Sequence, residues 1–210
     1  LFDRKLTANF AIFRSDVRDF QANVVDTGPG ALRGYLANIG KVRSQGVEAD
    51  LTLSSINGFS AYLRGAYTDA KYAAFTNAPC PLELIGTATT QCDLSGKELP
   101  GTSPWSLSYG AEYRKPVGRG EAYVGLDGNY RSAFFADASD SQYLRIKGYA
   151  LANLRIGFAS DKGWEVFGLV RNLFNTNYLT LLTPQSGNSG YISGVPSDPR
   201  TAQVTARFTF

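Results

Sequence analysis

Thr201-Ala202-Gln203-Val204-Thr205-Ala206-Arg207-Phe208-Thr209-Phe210 closes the chain. Its even positions are Ala, Val, Ala, Phe and Phe, and its odd positions are Thr, Gln, Thr, Arg and Thr. A strict period of two places successive side chains on opposite faces of a β-strand. One face therefore meets an apolar medium and the other meets water or polar protein.

The same pattern recurs upstream. Trp105, Leu107, Tyr109, Ala111 and Tyr113 alternate with polar residues, as do Ala122, Val124, Leu126, Gly128 and Tyr130. So do Leu6 to Ile12, Val47 to Leu53, Phe59 to Tyr67, Ala150 to Phe158 and Trp164 to Val170. No apolar stripe of helical period is sustained, so the chain is all-β with eight principal strands. The 37 apolar-face positions of these strands hold no charge, where the chain's 19% charged content predicts about seven. A charge facing lipid at mid-bilayer costs roughly 2–4 kcal/mol, a sufficient reason for their exclusion. The opposite faces carry Glu48, Asp50, Arg64, Glu112, Arg114, Glu121, Asp127, Arg155, Glu165, Arg171 and Arg207.

Composition narrows the chemistry. The chain has no histidine, which removes Ser-His-Asp and Cys-His catalysis and histidine metal sites; no enzyme activity and no cofactor are expected. A net charge of +3 without a basic run gives little support to nucleic-acid binding. No run of 18 apolar residues is present, so no transmembrane helix is expected, while a mean hydropathy of −0.18 suits strands that touch lipid with alternate residues. Cys80 and Cys92 lie in a stretch rich in Thr, Pro and Gly. They read as a disulfide closing a loop in an oxidising compartment, the alternative being two unpaired thiols.

Connections separate a membrane barrel from a soluble sandwich. The links Ser54–Gly58, Pro116–Gly120 and Ala159–Gly163 are short, and the links near Gln21–Asn38, Ala73–Ser103, Ser132–Gly148 and Asn175–Asp198 are long. Strict alternation of short and long is expected when antiparallel strands cross a membrane with periplasmic turns and extracellular loops; Greek-key sandwiches have no reason to show it. Phe59 and Tyr67, like Trp105 and Tyr113, stand eight residues apart on one face. At ~3.3 Å per residue and a tilt of ~40° they are separated by ~20 Å of membrane normal, the spacing of two aromatic girdles.

Three motifs carry a family resemblance. Asn38-Ile39-Gly40-Lys41-Val42-Arg43-Ser44-Gln45-Gly46-Val47-Glu48-Ala49-Asp50 is similar to a strand that recurs in the barrels of TonB-dependent transporters. Arg171-Asn172-Leu173-Phe174-Asn175-Thr176-Asn177-Tyr178 resembles that family's N-L-F-(D/N)-x-x-Y at the top of the penultimate strand. Ser197-Asp198-Pro199-Arg200-Thr201, followed by alternation to a terminal aromatic, resembles its closing segment. Asn172 and Asn175 can bond nearby backbone where strand gives way to loop, and Tyr178 can anchor at the interface.

The resemblance implies that residues 1–210 are the C-terminal part of a transporter β-barrel, the last eight strands of a 22-stranded barrel, in the outer membrane of a Gram-negative bacterium. The chain has no methionine and begins Leu1-Phe2-Asp3, which reads as a fragment whose plug domain and earlier strands lie upstream. Implied partners are outer-membrane lipid, the TonB complex through the missing N-terminal region, the barrel-assembly machinery through Phe208 and Phe210, and a small ligand such as a ferric siderophore. Tyr72, Arg131, Tyr143 and Arg145 are the candidate ligand contacts, since aromatic and cationic groups suit anionic or catecholate ligands. The competing readings are a complete eight-stranded outer-membrane barrel with a structural or adhesive role and a secreted carbohydrate-binding sandwich.

Overall fold

The computed structural model describes residues 5–26, 33–84, 87, 91–185 and 191–209. Eight long strands form one antiparallel sheet in strict chain order: β1 (Leu6–Asp26), β2 (Arg33–Ile56), β3 (Phe59–Ala74), β4 (Trp105–Pro116), β5 (Gly120–Arg131), β6 (Tyr149–Ser160), β7 (Trp164–Arg171) and β8 (Thr201–Phe208). Strands β1 and β8 are the two edges, so the sheet is an open arc.

Register matches the sequence phases across the whole sheet. Leu6, Leu53, Ala61, Ala111, Leu126, Leu154, Val170 and Ala202 form one continuous cross-strand row, all from the apolar faces. One residue along, Thr7, Thr52, Tyr62, Gly110, Asp127 and Asn153 form the polar row behind it. A slip of one residue in any strand would swap its two faces, so the separation of apolar from polar side chains fixes the register. Among the described residues no second sheet covers the apolar side: Phe10 is 68% exposed and Val204 80%. A sandwich would have buried both.

Tight turns sit at one end. Asn57 and Gly58 both have positive φ, 51° and 85°, which matches the right-handed twist of the strands they join. Gly118 and Gly163 supply the positive φ of the turns from β4 to β5 and from β6 to β7. The long connections fill the other end and carry short secondary elements. Ala78–Pro79 pairs with Gln91–Cys92, Phe134–Phe135 pairs with Arg145–Ile146, and Leu179–Pro184 pairs with Ile192–Pro196.

One expectation is corrected. The segment Gln21–Asn38, expected as a loop, is mostly a paired ribbon, with the register of β1 and β2 running out to Asp26↔Arg33. Backbone pairing there continues because the alternation of the ribbon is kept by Ala22, Val24, Ala37 and Ile39, which pack into a buried cluster. With 21 and 24 residues, β1 and β2 are about twice as long as the 12-residue β4, β5 and β6. At ~3.3 Å per residue, β1 and β2 run ~30–40 Å further than the 12-residue strands.

Candidate functional site

Two polar regions could serve a ligand: the inner face of the arc and the loop end above it. On the inner face, charges are paired both along and between strands. Arg64 Nε donates to Asp50 at 2.6 Å, Arg114 Nε to Glu112 at 2.6 Å, and Arg155 lies 3.5 Å from the same Glu112. Tyr123 donates to Glu165 at 2.6 Å, and Arg207 stands 3.7 Å from that carboxylate. The guanidinium of Arg114 lies over the Tyr123 ring at 4.6 Å. Space for this ring comes from Gly157 on the neighbouring strand, where an added Cβ would fall 2.5 Å from Tyr123. The wall is thus a cross-strand ionic network that needs water or polar protein opposite it.

The loop end holds a buried apolar cluster: Val24, Ile39, Val42, Tyr72, Phe75, Ala78, Leu94 and Ala138. It welds the top of the β1–β2 ribbon to the two connections that flank β4 and β5. Main-chain and side-chain bonds tie those connections together: Gly101 N donates to Phe135 O at 2.8 Å, Gln142 N to Glu83 at 2.6 Å and Glu98 N to Asp140 at 3.2 Å. Cys80 and Cys92 are joined by a disulfide inside this assembly.

The four residues expected at a ligand site fall into two pairs. Tyr72 is fully buried, its hydroxyl donating to Ala138 O at 3.4 Å, and burial pushes its ionisation well above the ordinary tyrosine range. Arg131 bonds Ser103 Oγ at 2.7 Å and Gly101 O, and stacks 3.9 Å from Phe134. Both are engaged in holding the loops. Tyr143, 61% exposed, and Arg145, whose guanidinium lies 5.9 Å from Phe135, sit on the surface of the 132–148 connection. Phe208 is exposed on the apolar face of β8; Phe210 lies outside the described residues.

The motif residues meet in space. Asn172, 7% exposed, donates to Thr176 O at 3.0 Å and Asp198 O at 3.2 Å and accepts from Thr176 N at 2.8 Å. Asn175 accepts from Arg200 N at 3.0 Å, joining the Asn-rich motif to the Pro199-Arg200 segment before β8. Tyr178 stacks on Tyr149 with centroids 3.8 Å apart.

Residues 1–173 match the family described as TonB dependent receptor-like, beta-barrel. The chain belongs to this family. Its arc is also similar to solved structures. The ferric yersiniabactin uptake receptor FyuA from Yersinia pestis aligns over 99% of the chain with a TM-score of 0.75 at 20% identity, and the match spans 28% of that receptor. The siderophore receptor PiuA from Acinetobacter baumannii aligns over 97% with a TM-score of 0.69 at 17% identity, spanning 26% of its length. A copper transporter, OprC, aligns over 99% at 0.68 and 16%, spanning 29%. The chain therefore corresponds to somewhat over a quarter of each of these proteins, and at such identities they show a shared fold. In outer-membrane barrels the tight turns lie at the periplasmic end and the long loops at the extracellular end.

Sequence reasoning missed three features. The carboxylates of Asp137 and Asp140 are both raised above the ordinary range, first by burial. Tyr123 was visible only as a polar-face residue. A charged layer on the outward face of β1 to β3 went unread, though the step from Ile12 to Arg14 at a spacing of two announces it.

Proposed function

We propose that this chain forms part of an outer-membrane receptor that imports a scarce ligand, most simply an iron–siderophore complex, with energy relayed through TonB. The observation that carries this reading is the family match over residues 1–173 on an arc with an uncharged band, around the row from Leu6 to Ala202, on one face and ionic pairs on the other. Siderophore receptors among the structures of the same fold favour that cargo, while a copper transporter of the same fold shows that fold alone does not fix it. Outer-membrane lipid on the apolar face and the barrel-assembly machinery acting on Phe208 and Phe210 complete the proposed partners.

At the loop end we assign Tyr143 and Arg145 as ligand contacts, with Tyr72 and Arg131 holding the loops that present them. An exposed phenol and a guanidinium can stack on and pair with an anionic or catecholate chelate. The test is uptake of radiolabelled ferric siderophores by iron-limited cells that depend on the full-length receptor. Import should be lost on deletion of the gene or of TonB, and Tyr143→Ala plus Arg145→Ala should weaken ligand binding about tenfold or more. Import that persists without TonB defeats the transport reading; unchanged affinity in the double variant removes the two residues from the site.

A further inference from the structure

No charged residue stands between Arg171 and Asp198, a run of 26 residues where the chain's 19% charged content predicts about five. Within this run Leu179–Pro184 pairs with Ile192–Pro196, with Leu181 opposite Val195, Leu182 opposite Gly194 and Pro184 opposite Ile192. Opposed pairs alternate between the two faces of a ribbon, so this hairpin is apolar on both. It is poorly covered: Leu179, Leu181 and Val195 are exposed, as is every residue of Ile192–Pro196. A two-stranded ribbon on its own is marginal in water and needs a further strand or an apolar surface against it.

The base of the hairpin is pinned. Ser197 N donates to Tyr178 O at 2.8 Å, Tyr178 N donates to Ser197 Oγ at 3.2 Å, and Asn172 holds both Thr176 O and Asp198 O. One flank is occupied, because Leu179–Pro184 lies against Gln142–Leu144 and Arg145–Ile146 of the connection from β5 to β6, and Tyr178 stacks on Tyr149. The order of that connection, Leu179–Pro184 and Ile192–Pro196 at the loop end thus follows the order of β6, β7 and β8 in the wall. Ile192–Pro196 stands at the outer flank, on the side of β8 that no described strand pairs. An open edge in hydrocarbon leaves backbone N–H and C=O groups without partners, and a barrel avoids this by closure. Receptors that share this fold are far longer than the arc, and a chain of their length has the strands to close it.

We infer that the uncharged hairpin docks on the extracellular loop of the strand that seals the free edge of β8, and so clasps the closing seam of the barrel from above. The inference rests on the membrane placement proposed above; with residues 1–210 as the C-terminal part of the barrel, the sealing strand is the first one. The docked surface is apolar, since a charge set against this run would lose its water and meet no counter-charge. The other two loop-end connections are built differently. They carry Glu83, Asp137 and Asp140, and they bury Phe75, Leu94 and Ala138 in a cluster of their own.

The test places a photo-cross-linking benzophenone amino acid at Leu181, and separately at Val195, in the full-length receptor in outer membranes, and maps the products by mass spectrometry. Both positions should join to the loop of the sealing strand within the same polypeptide. Products confined to lipid, to a second copy of the receptor, to another protein or to residues 132–148, or no product at either position, overturn the clasp. A second measurement reads the seam itself. Leu181→Asp plus Val195→Asp should lower the temperature at which the folded receptor converts to its unfolded mobility on SDS gels, and an unchanged temperature overturns the clasp as well. If the unmodified receptor gives no folded, heat-convertible band, the barrel placement beneath the inference fails instead.

Discussion

Asn172 illustrates how much one side chain can hold. Buried at the top of β7 with φ of 50°, it satisfies both the amide and the carbonyl of Thr176 and the carbonyl of Asp198. Removing a buried partner leaves the others unpaired, at about 1–3 kcal/mol, and the left-handed backbone adds roughly 1–2 kcal/mol for a residue other than Gly or Asn. Asn172→Ala should lower the denaturant midpoint of the full-length receptor, and Asn172→Gly should recover only the backbone share. Equal midpoints for all three proteins would refute this account. Asp140 behaves oppositely: its Oδ1 is buried without a partner, and burial, with Glu98 and Asp137 nearby, lifts the carboxyl to about 6. The folded loops hold that proton more tightly than the unfolded chain does. Its stabilising share is therefore present at low pH and disappears as pH rises through about 6. Asp140→Asn should raise loop stability by on the order of 1–2 kcal/mol at pH 7.5 and change little at pH 4.5, read by hydrogen exchange at the Glu98 amide. A gain of the same size at both pH values would exclude titration as the cause.

Among the elements, the connection between β3 and β4 is the most elaborate. The Cys80–Cys92 bridge spans a sequence separation of 12, and the chain is further pinned by Phe75 N donating to Ser95 Oγ at 3.0 Å and by Leu94 in the buried cluster. A loop of this size gains about 2–4 kcal/mol from its cross-link. Cys80→Ser plus Cys92→Ser should make residues 81–91 cleave faster in limited proteolysis while the strands stay resistant. If cleavage rates match those of the bridged protein, the hydrogen bonds and packing suffice without it. Strand length was the harder matter to read at this scale. The ribbon from 21 to 38 looks like a loop because Gly28, Pro29, Gly30 and Gly34 interrupt it, yet its alternating Ala22, Val24, Ala37 and Ile39 find a dry cluster only when distant loops fold onto them.

For the molecule as a whole, stability depends on which solvent each face meets. Leu126 is 40% exposed in the centre of the uncharged row, between Ala111 and Leu154, whereas Asp127 beside it accepts a bond from Asn153 at 2.8 Å on the polar side. Leu126→Arg should cost roughly 2–4 kcal/mol in bilayer unfolding measurements, while Asp127→Asn, at a solvated position, should stay within about 0.5 kcal/mol. Similar costs for both would mean that the row from Leu6 to Ala202 does not face hydrocarbon.

Alternation by itself determined the eight strands, their phases and the alternation of turns and loops, because a period of two is a local property written into each strand. The Asn172 and Arg200 motifs were also visible as separate strings. Only the tertiary structure decided that Asn172, Asn175, Asp198 and Arg200 form one knot, and that Tyr72 and Arg131 are spent on the loops while Tyr143 and Arg145 are exposed. Those outcomes depend on contacts between residues far apart in the chain, and pairing register and burial fix such contacts where no local period records them.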